Sequence, residues 1–135
     1  MEIINGERLV LGTCYYPEHW DESLWRDDLK RMLENGIEVI RIAEFAWSKI
    51  ERYEGVFNYD FFDRFLDVAA DMGMKVIFCT PTATPPAWLT EKYPEVLNAN
   101  MDGVLYRHGG RRHYNYNSPK LSLIHISEPT RHSLI

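Results

Sequence analysis

The pattern of apolar and polar positions alternates between short apolar runs and longer amphipathic stretches. Residues 9–15 (LVLGTCY), 37–42 (IEVIRI) and 75–80 (KVIFCT) are rich in apolar and β-branched side chains, which predicts three buried strands. Between these runs, apolar residues recur at three- and four-residue spacing. That spacing predicts one amphipathic helix in each interval.

Residues with strong positional preferences mark the ends of both helices. Asp21 predicts the start of the first helix and Asn35-Gly36 its end, while Asn58 or Asp60 starts the second and Gly73 ends it. The order is therefore strand, helix, strand, helix, strand, with short connecting loops. This order favours parallel βαβ units with right-handed crossovers.

The region from 81 to 119 has a different character. It contains five prolines and three glycines together with many aromatic residues. Proline excludes most of this region from regular helix or a central strand, and the aromatic content disfavours disorder. We therefore expect a long, ordered and functional loop.

The last fifteen residues do not continue any earlier pattern. Residues 121–131 (LSLIHISEPTR) correspond, over eleven successive codons, to the translation of a transposon-end sequencing adapter. The alternative is an ordinary amphipathic tail. We predict that residues 121–135 are a non-native, adapter-derived tail, that residues 1–120 are the natural portion, and that the natural chain continues beyond Lys120.

Composition and charge narrow the class of protein. The chain has 135 residues, 45% of them hydrophobic, and a net charge of −5 that is spread along its length. No basic patch predicts a nucleic-acid or membrane partner, and no signal peptide or membrane span is evident. Cys14 and Cys79 lie in apolar segments, so we expect buried thiols without a disulfide. We expect a cytoplasmic protein that needs no cofactor.

Polar and aromatic residues follow each of the three strands. The segments are 15–20 (YYPEHW), 43–47 (AEFAW) and 80–88 (TPTATPPAW). Active sites of parallel α/β proteins gather at these carboxyl ends of strands. Aromatic faces beside fixed polar groups suit a sugar, whereas the alternative is that these aromatics are ordinary core residues.

Six blocks of the sequence resemble one enzyme family, in its order and spacing. The blocks are 12–20 (GTCYYPEHW), 41–48 (RIAEFAWS), 54–59 (EGVFNY), 80–89 (TPTATPPAWL), 93–97 (YPEVL) and 109–114 (GGRRHY). The resemblance is to glycoside hydrolase family 42, the bacterial β-galactosidases. It implies an α/β fold, the N-terminal part of a (β/α)8 TIM barrel, in an enzyme that hydrolyses terminal β-D-galactosides with retention.

The resemblance also implies where the catalytic carboxylates lie. The acid/base is the glutamate of an Asn-Glu pair near the end of strand 4 of the barrel, and the nucleophile is a glutamate near the end of strand 7. Retaining hydrolysis needs these groups about 5–5.5 Å apart. No Asn-Glu pair occurs between the third strand and Lys120. We therefore expect neither catalytic glutamate within this chain, and expect the chain alone to be inactive.

Two residues are implied by the resemblance to contact the substrate. Glu44 matches a glutamate that hydrogen-bonds galactose hydroxyls, and Arg111 matches an arginine that contacts the sugar. A carboxylate accepts, and a guanidinium donates, charge-assisted hydrogen bonds to hydroxyls. The alternative for Glu44 is a structural ion pair with Arg41 or Arg112. For Arg111 it is a solvated loop position, or that Arg112 takes the role.

Neighbouring polar residues have simpler interpretations. Glu18 and His19 are adjacent and point apart in extended chain, so we expect them to hold the loop after the first strand in a polar network rather than to act as an acid/base pair. For His113, packing in the loop is favoured over support of the arginines through a hydrogen bond.

The resemblance bears on metal, assembly and competing functions as well. Some family members bind a structural zinc with four cysteines, the first of which corresponds to Asn115 here. An amide is a poor zinc ligand, so we expect no metal.

The family implies a homo-oligomer, a trimer. Competing hypotheses are a non-catalytic carbohydrate-binding relative and a truncated fragment without function.

Overall fold

The computed structural model describes residues 3–4, 7–111 and 113–121. The chain divides into two compact units. Unit 1 comprises Met1–Ala46 and Asn58–Pro81, and unit 2 comprises Trp47–Phe57 and Thr82–Ile135. Each unit is described by itself below.

The described residues form seven strands and four α-helices. Short 3-10 helices at Pro17–His19, Glu22–Leu24 and Pro94–Val96 accompany them. In chain order the strands and helices are β1 (Ile3–Ile4), β2 (Glu7–Arg8), β3 (Leu11–Cys14), α1 (Trp25–Glu34), β4 (Ile37–Ile42), α2 (Trp47–Ile50), β5 (Glu51–Tyr53), β6 (Val56–Phe57), α3 (Asp60–Asp71), β7 (Lys75–Phe78) and α4 (Ala87–Lys92).

A three-stranded parallel sheet is the centre of unit 1. Its order is β3-β4-β7, with Thr13 opposite Ile40 and Ile40 opposite Val76. The predicted parallel βαβ arrangement is therefore confirmed. The two predicted helices are α1 and α3, and the predicted stop at Gly36 has the positive φ of +80° that favours glycine.

The amphipathic helices cover one face of this sheet. Trp25 of α1 meets Phe65 of α3 edge to face at 5.1 Å between ring centroids, and both are buried. Ile40 and Ile42 of β4 are completely buried as well. Because burying each large apolar side chain contributes about 1.5–3 kcal/mol, this layer is the main source of stability in unit 1.

The opposite face of the sheet is open in the described chain. Leu11 and Ile77 remain 58% and 55% exposed. Cys14 is also exposed and Cys79 is half-buried, so the expectation that both cysteines are buried is wrong, most clearly for Cys14. The physical reason is side-chain alternation: Cys14 lies beside Arg41, which points away from the helices that bury Ile40 and Ile42.

Unit 2 is organised by a hairpin, a short helix and two buried polar contacts. The buried Glu51 carboxylate accepts hydrogen bonds from Trp47 Nε1 at 2.7 Å and from the Gly55 amide at 2.8 Å, which closes the β5–β6 hairpin. Helix α4 begins after Pro86, a position at which the missing amide of proline costs nothing. The proline-rich region therefore contains more helix than the sequence pattern predicts.

The core of unit 2 reaches the start of the predicted non-native tail. Leu121 is buried against a cluster that includes Trp47, Leu89, Val96 and Tyr114. The rest of that tail, residues 122–135, lies outside the described residues. Within the described chain no helix is long and apolar enough to span a membrane.

Candidate functional site

The carboxyl ends of β3, β4 and β7 meet at one edge of the parallel sheet. The amide of Tyr15, just past β3, donates to Arg41 O at 3.0 Å, and the amide of Cys79, just past β7, donates to Ile42 O at 3.0 Å. Glu44 follows β4 two residues after its end. The structure therefore brings the segments after all three strands to the edge where parallel α/β proteins place their sites.

Glu44 is held in place by an ion pair. Its carboxylate lies 2.9 Å from Arg41 Nη1, and its side chain is 16% exposed whereas that of Arg41 is 44% exposed. Arg41 Nε also donates to Cys79 Sγ at 3.0 Å. The pKa of Arg41 is raised, first by this bond to Cys79 and also by the nearby Cys14 and Glu44. The guanidinium is thus fixed from two sides and in turn fixes the carboxylate.

The ion pair with Arg41 is one of the two alternatives considered for Glu44. Arg112, the other partner considered, lies outside the described residues. The contact with Arg41 orients the Glu44 carboxylate, a group whose oxygens accept hydrogen bonds from hydroxyl groups.

An unusual backbone conformation places Glu44. Ala43 has φ of +69°, and it is the one non-glycine residue with positive φ in the described chain. A turn closed by the Ala46 amide donating to Ala43 O at 3.0 Å follows it. Such conformations cost about 1–3 kcal/mol and persist where the surroundings enforce them, often at functional sites. Ala43 is completely buried, so the packing around it enforces its backbone conformation.

Aromatic rings lie next to this carboxylate. Tyr16 and Phe45 have ring centroids 5.5 Å apart, and the ring of His19 lies 5.6 Å from that of Tyr16. The pKa of Tyr16 is raised, mainly by burial and then by Cys14 and Glu44, so its hydroxyl stays protonated and able to donate. Aromatic surface beside a carboxylate is the combination expected for binding a sugar.

The interpretation of Glu18 is wrong in one respect. Both of its carboxylate oxygens are buried and have no hydrogen-bond partner in the described part of the chain, so it does not hold the loop through a polar network. The bond from Trp25 Nε1 to Pro17 O, at 3.3 Å, does that instead. His19 is exposed and contacts Tyr16 through its ring.

Arg111 belongs to unit 2, whereas Glu44 belongs to unit 1. Arg111 is exposed and lies in a turn that spans residues 108–111. Gly109 in that turn has φ of +99°, a conformation that side-chain-bearing residues rarely adopt. The sequence proposes Glu44 and Arg111 as candidates. It indicates neither the orienting role of Arg41 nor the strained backbone of Ala43, because both depend on tertiary contacts rather than on local pattern.

The described residues contain no cluster of potential metal ligands. Across residues 3–4, 7–111 and 113–121, no group of three or more His, Cys, Asp or Glu side chains could hold a metal ion. Position 115, where a cysteine would begin a zinc site, is Asn115.

Comparisons with known proteins show the family to which the chain belongs. The family model described as beta-galactosidase, glycoside hydrolase family 42, matches residues 14–127. Beta-galactosidase BgaA of Thermus sp is 47% identical over 110 residues, and a beta-galactosidase of Thermus thermophilus is 46% identical over 110 residues. Both alignments cover 82% of this chain and 17% of the relative.

A solved structure supports the same assignment. The crystal structure of beta-galactosidase from the psychrophilic Marinomonas ef1 superposes with a TM-score of 0.79 at 43% identity, covering 83% of this chain and 17% of that one. These matches place the chain among the glycoside hydrolases. It belongs to family 42 of that class, the beta-galactosidase family. The chain spans about 17% of the length of the curated relatives that it matches.

Proposed function

We propose that the protein of which this chain is a part hydrolyses terminal β-D-galactosides with retention of anomeric configuration. The observation that carries the proposal is the family match over residues 14–127, which takes in Glu44 at the carboxyl edge of the parallel sheet. Residues 1–120 are, in this proposal, the N-terminal portion of a (β/α)8 catalytic domain. Residues 121–135 are foreign to it, so the proposal rests on residues 14–120 of the match and not on its last residues, 121–127.

The chain contributes substrate binding rather than bond cleavage. Retaining hydrolysis uses one carboxyl group as acid/base and another as nucleophile, about 5–5.5 Å apart. We assign neither role to a residue of this chain. Both belong to the remainder of the protein, which is why the chain by itself is proposed to be inactive.

Glu44 acts as an acceptor for galactose hydroxyls. Its pair with Arg41 keeps one carboxylate oxygen at a fixed position, at 2.9 Å from Nη1, so that little side-chain freedom is lost when the sugar arrives. The ring pair of Tyr16 and Phe45 provides an apolar surface for the C–H face of the sugar. The family resemblance assigns Arg111 a second contact with the substrate of the whole protein, since a guanidinium offers a rigid fork of donors.

The test is to express the full-length protein from the uninterrupted gene. We expect turnover of p-nitrophenyl β-D-galactoside, with the β-anomer of galactose appearing first by proton NMR. An α-anomer as first product would exclude a retaining mechanism. A folded protein that binds galactose without turnover would instead support the competing carbohydrate-binding function.

A further inference from the structure

The turn that carries Arg111 is tied down at both of its ends. After the turn, the Asn98 amide donates to His113 O at 2.9 Å and the Asn115 amide donates to Val96 O at 2.7 Å. These bonds pair residues 113–115 with residues 96–98, next to the buried core of unit 2. The exit of the turn is therefore fixed to the core by backbone contacts.

The entry of the turn is fixed by His108. Thr90 of α4 donates its one hydroxyl proton to Ala87 O at 3.1 Å. Its oxygen also lies 3.0 Å from His108 Nδ1, so in that contact the ring nitrogen is the donor. The His108 ring then meets the His113 ring edge to face at 5.2 Å. Two histidines thus bracket the turn.

His113 makes a hydrogen bond into the middle of the turn. Its Nδ1 is bonded to Gly110 O, and the side chain is only 3% exposed. That carbonyl belongs to the peptide bond whose nitrogen is Arg111. Since a peptide unit is planar, a bond that fixes the Gly110 carbonyl also fixes the Arg111 amide and the position of the Cα atom that carries its side chain. Two adjacent glycines would otherwise leave this backbone free to rotate.

The contact also defines which ring nitrogen carries the proton. A carbonyl oxygen can only accept, so Nδ1 of His113 is protonated. Nε2 is buried and has no hydrogen-bond partner in the described part of the chain. The hydrogen bond that fixes the turn therefore requires a donor at the Nδ1 position. A donor at the Nε2 position would have no acceptor in the described part of the chain.

We propose that His113 is a positioning residue for substrate binding, which directs Arg111 toward the sugar by donating from Nδ1 to the Gly110 carbonyl. The inference rests on the proposed role of Arg111 in binding the galactoside. His113 itself does not touch the substrate. It acts through the peptide unit that precedes Arg111.

Two isosteric substitutions in the full-length protein test this role. The amide nitrogen of asparagine can take the place of Nδ1, whereas that of glutamine takes the place of Nε2. We expect His113→Gln to lower kcat/KM for p-nitrophenyl β-D-galactoside about tenfold, and His113→Asn to recover most of that loss. Leu29→Ala, which shortens a completely buried side chain of α1 in unit 1, is the control: it should lower Tm while leaving kcat and KM of the folded enzyme unchanged.

A double-mutant cycle distinguishes positioning from general support of the fold. In an Arg111→Ala background, His113→Gln should cause no additional loss, because the residue through which it acts is already gone. An equal tenfold loss in both backgrounds, or equal effects of asparagine and glutamine, would overturn the proposal.

The hydrogen bond can be examined separately from the proposed reaction. Histidine ¹⁵N spectra of the full-length protein should show His113 as the Nδ1–H tautomer, identified by the signal lost in His113→Asn. An Nε2–H tautomer would refute the positioning role even in an active enzyme. A wild-type protein that shows the Nδ1–H tautomer but no galactoside turnover would refute the proposed function while retaining the contact.

Discussion

At the scale of single residues, Glu44 makes a structural contact, and the proposed function adds a binding role to it. Its ion pair with Arg41 is a contact that a purely structural glutamate would also make. What distinguishes Glu44 is its position, two residues beyond a central parallel strand and just after the strained Ala43. Strain at such a point indicates that the direction of the side chain matters.

Replacing Glu44 by glutamine in the full-length enzyme should lower kcat/KM for a β-galactoside by about 10- to 100-fold. Hydrogen bonds to charged groups contribute about 1.5–3 kcal/mol, and about 1.4 kcal/mol corresponds to a factor of ten. Steady-state kinetics measure the effect. Glu22→Gln is the matched control, since Glu22 pairs with Arg64 at 2.6 Å on the surface of unit 1, and its kinetics should equal those of wild type.

Substitutions at Ala43 should separate backbone conformation from side-chain volume. Ala43→Gly relieves the positive φ but removes a buried methyl group, and these opposed terms of about 1 kcal/mol each leave stability nearly unchanged. Ala43→Val places a β-branched residue in the same conformation and should lower Tm by several degrees. Thermal unfolding measures both, and a valine variant as stable as wild type would contradict the strain.

At the scale of elements, several segments of unit 2 are linked to one another through the carboxylate of Glu54. Lys92 of α4 and Tyr93 bond to Glu54, as does Lys120 at 2.9 Å. Lys120 Nζ also lies over the Tyr93 ring, 4.2 Å from the ring centroid. The pKa of Glu54 is lowered to about 2, first by Lys92, then by Lys120 and Tyr93. The β5–β6 hairpin is thereby linked to both α4 and the segment before Leu121.

The lowered pKa of Glu54 predicts how acid affects this element. A carboxylate with a depressed folded-state pKa stabilises the fold above its unfolded value, near 4.5, and loses that contribution as pH falls toward about 2. Glu54→Gln should therefore lower Tm of the full-length protein at neutral pH, and the difference from wild type should shrink between pH 4.5 and 2. A difference that does not change over this range would contradict the linkage.

At the scale of the whole molecule, the chain is a minor part of the proteins that it resembles. It covers 17% of the length of each relative compared here. In the described residues β3 and β7 each pair on one side only, and Leu11 and Ile77 face solvent. Unpaired strands and exposed apolar surface of this kind favour association with other chains.

Residues 1–120 expressed alone should therefore aggregate or remain loosely packed, and should be inactive. A (β/α)8 barrel typically needs about 250 residues to close its sheet and cover its interior. Size-exclusion chromatography with light scattering, together with thermal unfolding, measures the state of the chain. A monodisperse monomer with a cooperative transition would contradict the expectation, as would turnover of a chromogenic β-galactoside.

Some features of this protein follow from local sequence alone. Strand β4 was predicted with its observed bounds, Ile37–Ile42, because β-branched residues and a preceding Asn-Gly stop act over a few positions. The parallel order followed from helices placed between strands. Glu44 was located as a candidate because the site edge of a parallel sheet is defined by where its strands end.

Other features depend on contacts between residues distant in the chain. The β5–β6 hairpin has strands of three and two residues, too short for a detectable period, and it is closed by the buried Glu51. The exposure of Cys14 depends on which sheet face the helices cover.

The sequence by itself thus determined the order of strands and helices, the family and the position of Glu44. Only the tertiary structure decided how the candidate residues are oriented. Arg41 forms an ion pair with Glu44, and His113 donates a hydrogen bond to Gly110 O. The physical reason is the separation along the chain of the residues that interact. Periodicity and capping act between neighbours in sequence, whereas the orientation of a side chain depends on which hydrogen-bonding groups the folded backbone brings within about 3 Å.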